Sequence, residues 1–229
     1  MSRDLIAVLP IFYVAFLMST VFHEAAHALV AKWGGDLTAY AGGQVSLDPL
    51  PHIKREPFGL VLMPLLSLMT SGSMFGWGSA PFDPYWQIRY PKRSSLMALA
   101  GPVSNFILVF VVAIVMHIGV ALGLFVPINS LGVTSLQGGL IEGFAFFLSV
   151  MLRLNILLGV FNLLPVPPLD GHAVIGLFLP EDLFLRFLEW VRSPMASLIG
   201  FLIALQVLPF LVDPAFSLMG RLIGLVPIS

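Results

Sequence analysis

Two histidines four residues apart, His23 and His27, stand with Glu24 in an apolar stretch that runs from Leu5 to Ala31. On an α-helix, residues i and i+4 share one face, so the two imidazoles can bind one Zn²⁺ ion at ~2.0–2.1 Å. Glu24 flanks that face, which is the place of a general base acting on metal-bound water. The alternative is a pair of histidines that bond to neighbouring carbonyls, but ionisable side chains are costly inside a membrane and indicate function.

A second chemical signal follows a run of prolines at Pro165, Pro167 and Pro168. Proline lacks an N–H and cannot continue a helix, and non-helical backbone at membrane depth is tolerated where it lines a cavity or is buried in protein. Asp170 stands immediately beyond this break. It is the natural third ligand of a His₂–carboxylate zinc site that leaves the fourth position open. The alternative is an interfacial Asp that caps the next helix, since Asp is a favoured N-cap residue.

The composition is that of a polytopic membrane protein. Of 229 residues, 58% are hydrophobic and 10% are charged, whereas soluble domains have ~25% charged residues. The net charge of −1 gives no indication of nucleic-acid binding, and the absence of Cys leaves only nitrogen and oxygen ligands for a metal. No polar stretch is long enough to fold alone. We therefore expect one membrane-embedded domain over 1–229, with a core at 1–172 and C-terminal amphipathic and membrane helices at 173–229.

The hydropathy pattern predicts an all-α fold with about four to six transmembrane helices. The first apolar run exceeds the ~7–15 residues of a signal-peptide core, so we expect it to be retained. Pro209 and Pro214 are expected to break the last apolar region. The expected elements are clear spans at 4–33, 94–120 and 140–164, an amphipathic surface helix at 171–192, an apolar helix at 197–212 and a short apolar end at 215–228.

Two features are expected between the first two spans. Residues 37–50 alternate loosely and predict a short β-like ribbon. Residues 58–75 are apolar but shorter than the ~20 residues of a span, and Pro64 interrupts them. Basic clusters flank this segment on both sides, as in cytoplasmic loops, so we expect it to be re-entrant. The N-terminus is then outside, the metal lies nearer the cytoplasmic face, and the uncharged residues 122–139 form an external loop.

Other polar residues in the apolar regions have simpler interpretations. His52 precedes three charged residues and is expected at the interface, with a role as metal ligand or proton carrier left open. His117 is expected at the opposite interface. Arg153 lies in the middle of the third span and requires a partner or water. Gly101 and Pro102 are interpreted as a kink that permits close helix packing.

Three motifs occur in order along the chain: H-E-A-A-H at 23–27, A-G-P-V-S-N at 100–105 and N-L-L-P-V-P-P-L-D-G at 162–171. Together they resemble the motifs of the site-2 protease family of intramembrane zinc metalloproteases, peptidase M50. The resemblance extends to about His172, where the family usually has a second glycine after D-G. Because no PDZ-like domain is inserted, the chain looks like the compact prokaryotic type.

The resemblance implies one zinc ion per chain, held by His23, His27 and Asp170, with Glu24 as the base. Asn162 is implied near the site, where it would position substrate or steady an oxyanion. The implied activity is regulated intramembrane proteolysis, which is cleavage within or near the transmembrane segments of other membrane proteins.

The same resemblance implies a multi-pass protein of the prokaryotic inner membrane. Its partners are the lipid bilayer and a transmembrane protein or peptide substrate, with a homo-oligomer left open and no nucleic acid. The competing function is a non-proteolytic metal-binding membrane protein, either a metal carrier or an inactive scaffold. A carrier should need further intramembrane carboxylates or histidines, and the remaining spans offer almost none.

Overall fold

The computed structural model describes residues 3–72 and 74–225, excluding the side chains of residues 3–7 and 71. Within these ranges the chain is almost entirely helical, with one small antiparallel sheet. The elements are α1 Arg3–Gly34, α2 Thr38–Ala41, α3 Pro49–Arg55, a π-helical turn Phe58–Leu62, α4 Met63–Ser71, α5 Pro84–Arg89, α6 Pro91–Ala121, β1 Val126–Asn129, β2 Gly132–Thr134, α7 Gly139–Asn162, α8 Gly171–Val174, a 3₁₀ turn Ile175–Leu177, α9 Glu181–Val191 and α10 Pro194–Ile223.

Four helices in the described ranges are long and apolar enough to cross a membrane, namely α1 from Val8, α6, α7 and α10. This confirms the predicted all-α polytopic fold. Helices α1, α6 and α7 pack against one another around an apolar core that includes Val109, Met116, Leu152 and Ile156. In an apolar 18-residue stretch of each span, buried residues make up 39%, 39% and 44% in α1, α6 and α7 but only 11% in α10. The fourth span is therefore peripheral to a three-helix core.

The predicted β-ribbon at 37–50 is wrong, and the sheet lies instead in the expected loop at 122–139. Asp48 accepts a hydrogen bond from the amide of Leu50, and Pro49 occupies the first turn of α3. Asp followed by Pro starts a helix as well as a turn. The strands β1 and β2 depend on a tertiary contact, because Ser149 of α7 bonds to both the amide and the carbonyl of Val133.

The predicted break in the last apolar region is also wrong. Helix α10 runs from Pro194 to Ile223 through both Pro209 and Pro214. Prolines are tolerated in membrane helices when neighbouring groups satisfy the freed backbone groups. The expected separate apolar end at 215–228 is therefore part of α10 up to Ile223, and its residues 226–228 lie outside the described residues.

The amphipathic region after Asp170 forms α8, the 3₁₀ turn and α9, in which Phe184, Leu188 and Val191 turn inward. Lys92 lies at the start of α6, and its ammonium group binds this region through hydrogen bonds. It donates to the carbonyl oxygens of Gly176, Leu177 and Leu179 at 2.9, 3.2 and 2.7 Å.

Arg153 finds its partner in the β-hairpin. Its guanidinium donates to the side-chain oxygen of Asn129 at 3.2 Å. The same oxygen accepts the amide of Leu131, so the hairpin turn and the middle of α7 are tied together.

The segment expected to be re-entrant turns back on itself. The π-helical turn and α4 together make an apolar helix shorter than a span, and Gly72 ends it in the left-handed conformation. Residues 74–83 then return without helix or strand, and the amide of Trp77 donates to the carbonyl of Gly59 at 3.1 Å. Ser73 of the predicted segment lies outside the described residues. The course fits a re-entrant segment, while its side of the membrane remains a prediction.

Single cysteines test the sidedness, because the chain contains none. Lys54→Cys and Arg89→Cys replace exposed residues on either side of the re-entrant segment. We expect both to be protected from an impermeant maleimide in intact cells and labelled once the membrane is opened. Leu136→Cys, at a residue that is 87% exposed before α7, should react in intact cells. Labelling of only one of positions 54 and 89 in intact cells would show a true crossing.

Candidate metal centre and active site

Three side chains from two distant parts of the chain meet at one point. His23 and His27 lie one turn apart on α1, with their Nε2 atoms 3.0 Å apart. The Oδ2 atom of Asp170 lies 2.9 Å from Nε2 of His23 and 3.3 Å from Nε2 of His27. Four ligands at ~2.0–2.1 Å around a tetrahedral ion are separated by ~3.3 Å, so the three donors are spaced as zinc requires. The nitrogen and oxygen donor set also suits zinc.

The proline-rich segment brings Asp170 to the histidines. Helix α7 ends at Asn162, and the chain doubles back so that Gly171 packs on the carbonyl oxygens of Leu163 and Leu164. A Cβ atom at Gly171 would lie 2.4 and 2.2 Å from these oxygens, so the close approach requires glycine. Asp170 precedes α8, but its side chain makes no capping bond. The alternative of an N-cap aspartate is therefore not what the structure shows.

Gly101 of α6 leaves the space that an ion needs. A Cβ atom at this position would lie 2.4 Å from Nε2 of His27 and 2.5 Å from Nε2 of His23. The expected helix kink therefore accounts for only part of its role, because this glycine faces the donor atoms. In the sequence, the position of Gly101 directly before Pro102 in the second motif was the signal that pointed to this residue.

The outer nitrogen of each imidazole is also bonded. Nδ1 of His27 donates to the backbone carbonyl of Met97 at 2.7 Å, and Nδ1 of His23 pairs with Oδ1 of Asn105 at 2.7 Å. Such bonds place the proton on Nδ1 and leave the Nε2 lone pair free for a metal. Burial acts to raise the pKa of the Asp170 carboxyl, but the two adjacent imidazoles hold that pKa below its usual range. The Asp170 carboxyl is thus held in the ionised form that a metal ligand requires.

Glu24 and Asn162 line a cavity of about 570 Å³ together with His23 and Asp170. The side chain of Glu24 lies against Gly78, where a Cβ atom would be 2.7 Å from its Cγ. The amide of Asn162 donates to the carbonyl of Leu158 at 3.1 Å. The other walls are mainly apolar, with Phe16 from α1, Leu154, Leu157 and Phe161 from α7, and Phe201, Leu205 and Leu208 from α10. Glu24 therefore lines the same cavity as His23 and Asp170 without being one of the three grouped donors.

The other three histidines lie outside the donor group. His52 is only 1% exposed, so it is buried rather than at an open interface, and its Nε2 donates to the carbonyl of Ser46. His117 bonds to the carbonyl of Ile223, and His172 to that of Leu169.

Gly101→Ala should abolish zinc binding while every ligand stays in place, because the added methyl group would occupy the space between the two imidazoles. Metal analysis of purified protein should find about one zinc per chain in the wild type and almost none in the variant. Alanine is a better helix former than glycine, so the helix itself should not suffer. Gly143→Ala in α7 is the matched control, since a Cβ atom there meets nothing within 4 Å. Full zinc content in Gly101→Ala would show that the ion binds elsewhere.

Asp170→Ala should weaken zinc binding strongly, because it removes one of three protein ligands. Alanine at His52, His117 or His172 should leave the zinc dissociation constant unchanged, since each of these side chains bonds to a carbonyl away from the donor group. Titration with a competing chelator measures all four variants on one scale. If Asp170→Ala retained wild-type affinity, the third ligand would have to be sought elsewhere.

Comparison with known proteins places the chain among metalloproteases. The model of peptidase family M50 matches residues 11–205. "Putative zinc metalloprotease YwhC" of Bacillus subtilis is 31% identical over 204 residues, which are 84% of each chain. Rip2 of Mycobacterium tuberculosis, named in the same way, is 31% identical over 160 residues, and MJ0611 of Methanocaldococcus jannaschii is 28% identical over 155 residues.

The matched part covers 70% of this chain and 54% of Rip2, so the chain spans about half the length of that relative. For MJ0611 the shares are 68% and 63%. No solved structure matches the chain. The family model covers most of the chain, and the geometry of the donor group agrees with the relatives' names. The chain belongs to peptidase family M50, the site-2 protease family of zinc metalloproteases, and it is an integral membrane protein.

Proposed function

We propose that this protein is an intramembrane zinc metalloprotease that cleaves peptide bonds within or near the transmembrane segments of other membrane proteins. One observation carries the proposal. Glu24, Asn162 and the donor atoms of His23 and Asp170 line a single cavity among membrane-spanning helices, and its remaining walls are largely apolar. A hydrophobic peptide segment fits such walls, and the polar groups meet it at one place only.

The depth of the site supports a substrate within the bilayer. Helix α1 continues for about 10 Å beyond His27 and about 16 Å beyond His23 before it ends at Gly34. The donors therefore lie below the membrane surface at that end of the helix. With the basic loops on the cytoplasmic side, this end is cytoplasmic, and we propose the prokaryotic inner membrane as the location.

The chain's own residues have distinct tasks in the proposed hydrolysis. His23, His27 and Asp170 would hold zinc, which supplies Lewis acidity toward water and the scissile carbonyl. The Glu24 carboxylate accepts the proton of the attacking water and later delivers it to the leaving amine nitrogen. The side-chain amide of Asn162 lies in the same cavity and is suited to donate to the carbonyl oxygen as negative charge develops there.

The substrate helix must open before cleavage, because its carbonyls are engaged in its own hydrogen bonds. Two non-helical stretches of this chain border the cavity, residues 74–78 and the proline-rich segment before Asp170. An opened substrate strand can bond to backbone groups of such segments, as in β-strand addition. The side-chain walls would then select for apolar residues around the cleaved bond.

Glu24→Gln separates proteolysis from metal binding alone. The amide cannot accept the proton of water, while the three ligands are untouched, so we expect unchanged zinc content and loss of cleavage. Removing a general base typically costs about 10²–10⁴-fold in rate. The measurement combines metal analysis with cleavage of a model transmembrane substrate in detergent or vesicles.

Two results would contradict this assignment. Loss of zinc in Glu24→Gln would make Glu24 a ligand, and retained cleavage would remove it as the base. If the wild type binds zinc but cleaves no transmembrane substrate, the non-proteolytic metal-binding function becomes the better explanation.

A further inference from the structure

We propose that Asn155, on the third span, is a positioning residue for the metal centre, because it sets the tautomer of His23 through Asn105. The inference rests on the proposed function, since it assumes that His23 binds zinc. Asn155 does not line the cavity, although its neighbours Leu154 and Leu157 do. It acts on the site only through another side chain.

The three residues form one hydrogen-bond chain across three helices. Nδ1 of His23 pairs with Oδ1 of Asn105 at 2.7 Å. Nδ2 of Asn105 donates to Oδ1 of Asn155 at 2.8 Å. Both asparagines are 0% exposed, so water does not compete for these bonds. The hydrogen bonds therefore connect α1, α6 and α7 without interruption.

The backbone carbonyl of Met151 fixes the direction of the hydrogen bonds between Asn155 and Asn105 and between Asn105 and His23. Nδ2 of Asn155 donates to the carbonyl of Met151 at 2.8 Å and to the hydroxyl of Ser19 at 2.9 Å. The Ser19 hydroxyl in turn donates to the carbonyl of Ala15 at 2.7 Å, so it is left to accept from Asn155.

A carbonyl can only accept, so the amide of Asn155 must turn its nitrogen toward Met151 and its oxygen toward Asn105. Asn105 then has to present its nitrogen to Asn155 and its oxygen to His23. Only an imidazole with its proton on Nδ1 can pair with that oxygen. The remaining nitrogen, Nε2, keeps its lone pair and faces the other donors.

Without Asn155, the Asn105 amide would be oriented only by a long bond of 3.5 Å from its nitrogen to the carbonyl of Ser19, and a hydrogen bond at that distance is weak. Asn105 could turn its nitrogen to His23, which would favour the tautomer that carries its proton on Nε2. That proton would occupy the position of the metal bond. Groups that orient metal-binding histidines are typically worth about 10–100-fold in metal affinity.

The test compares variants at position 155 with a control on the same helix. Asn155→Leu keeps the approximate shape and removes all hydrogen bonding, and we expect zinc to bind about 10–100-fold more weakly. Asn155→Asp, neutral when buried, keeps an acceptor for Asn105 and a hydroxyl donor for Met151, so we expect an affinity close to wild type. Ser149→Ala removes a buried hydroxyl whose bonding partners among the described residues are Val133 and Ala145, and it should leave the zinc affinity unchanged.

The zinc dissociation constant is measured by chelator competition on folded protein, with the thermal unfolding of each metal-free variant recorded in parallel. A purely structural role would lower the unfolding temperature of Asn155→Leu and leave its zinc affinity at the wild-type value, which would overturn the proposal. Equal weakening in Asn155→Asp and Asn155→Leu would also contradict it, because the direction of bonding would then not matter.

A second measurement needs no variant at position 155 and stands if Asn155→Leu fails to fold. In metal-free wild type labelled with ¹⁵N-histidine, His23 should carry its proton on Nδ1, with its signal assigned by loss in His23→Gln. A His23 imidazole whose only proton is on Nε2 would refute the inference. If the wild type binds no zinc at all, the proposed function fails instead, so the two failures can be told apart.

Discussion

The structure depends on one constraint, which is that a polar group within the bilayer must find its partner in the protein. His23, Asn105 and Asn155 meet this requirement by bonding to one another, and each comes from a different membrane-spanning helix. These polar residues would carry a high free-energy cost in the bilayer without partners, and the hydrogen bonds that satisfy them also join α1, α6 and α7. The bonds have a defined direction, so they hold the helices in one relative position more specifically than apolar packing does.

Close approach of the backbone at two glycines also helps to position the donor group. Gly101 brings α6 next to the two imidazoles, and Gly171 lets the proline-rich segment fold onto the end of α7. A side chain at either position would displace a donor or the loop that carries Asp170. The donor group thus depends on helix spacing as much as on the identity of its side chains. This explains how Asp170, far away in sequence, comes within 2.9–3.3 Å of the two histidines.

The spans and the candidate ligands were predictable because their signals are local. Hydropathy alone locates α1, α6 and α7, and the spacing of His23 and His27 is read from five residues. The hairpin at 126–134 was missed because its strands are held by Ser149, which is distant in sequence from most of the hairpin. The continuity of α10 through Pro209 was missed because the neighbours decide whether a proline breaks a membrane helix. The role of Asn155 could not be predicted, since one asparagine in an apolar helix indicates that a hydrogen-bond partner exists but does not identify it.

The donor side of the cavity and the wall formed by α10 differ in how many contacts hold them in place. The donors and the bonds that orient them belong to α1, α6 and the segment that follows α7, where packing and hydrogen bonds act together. The opposite wall comes from Phe201, Leu205 and Leu208 of α10, a span that is only 11% buried. Apolar walls hold a peptide without a fixed register, whereas the metal centre requires donors that are fixed to within fractions of an ångström. A peripheral wall beside a fixed centre would therefore suit the proposed cleavage of varied hydrophobic segments at one point.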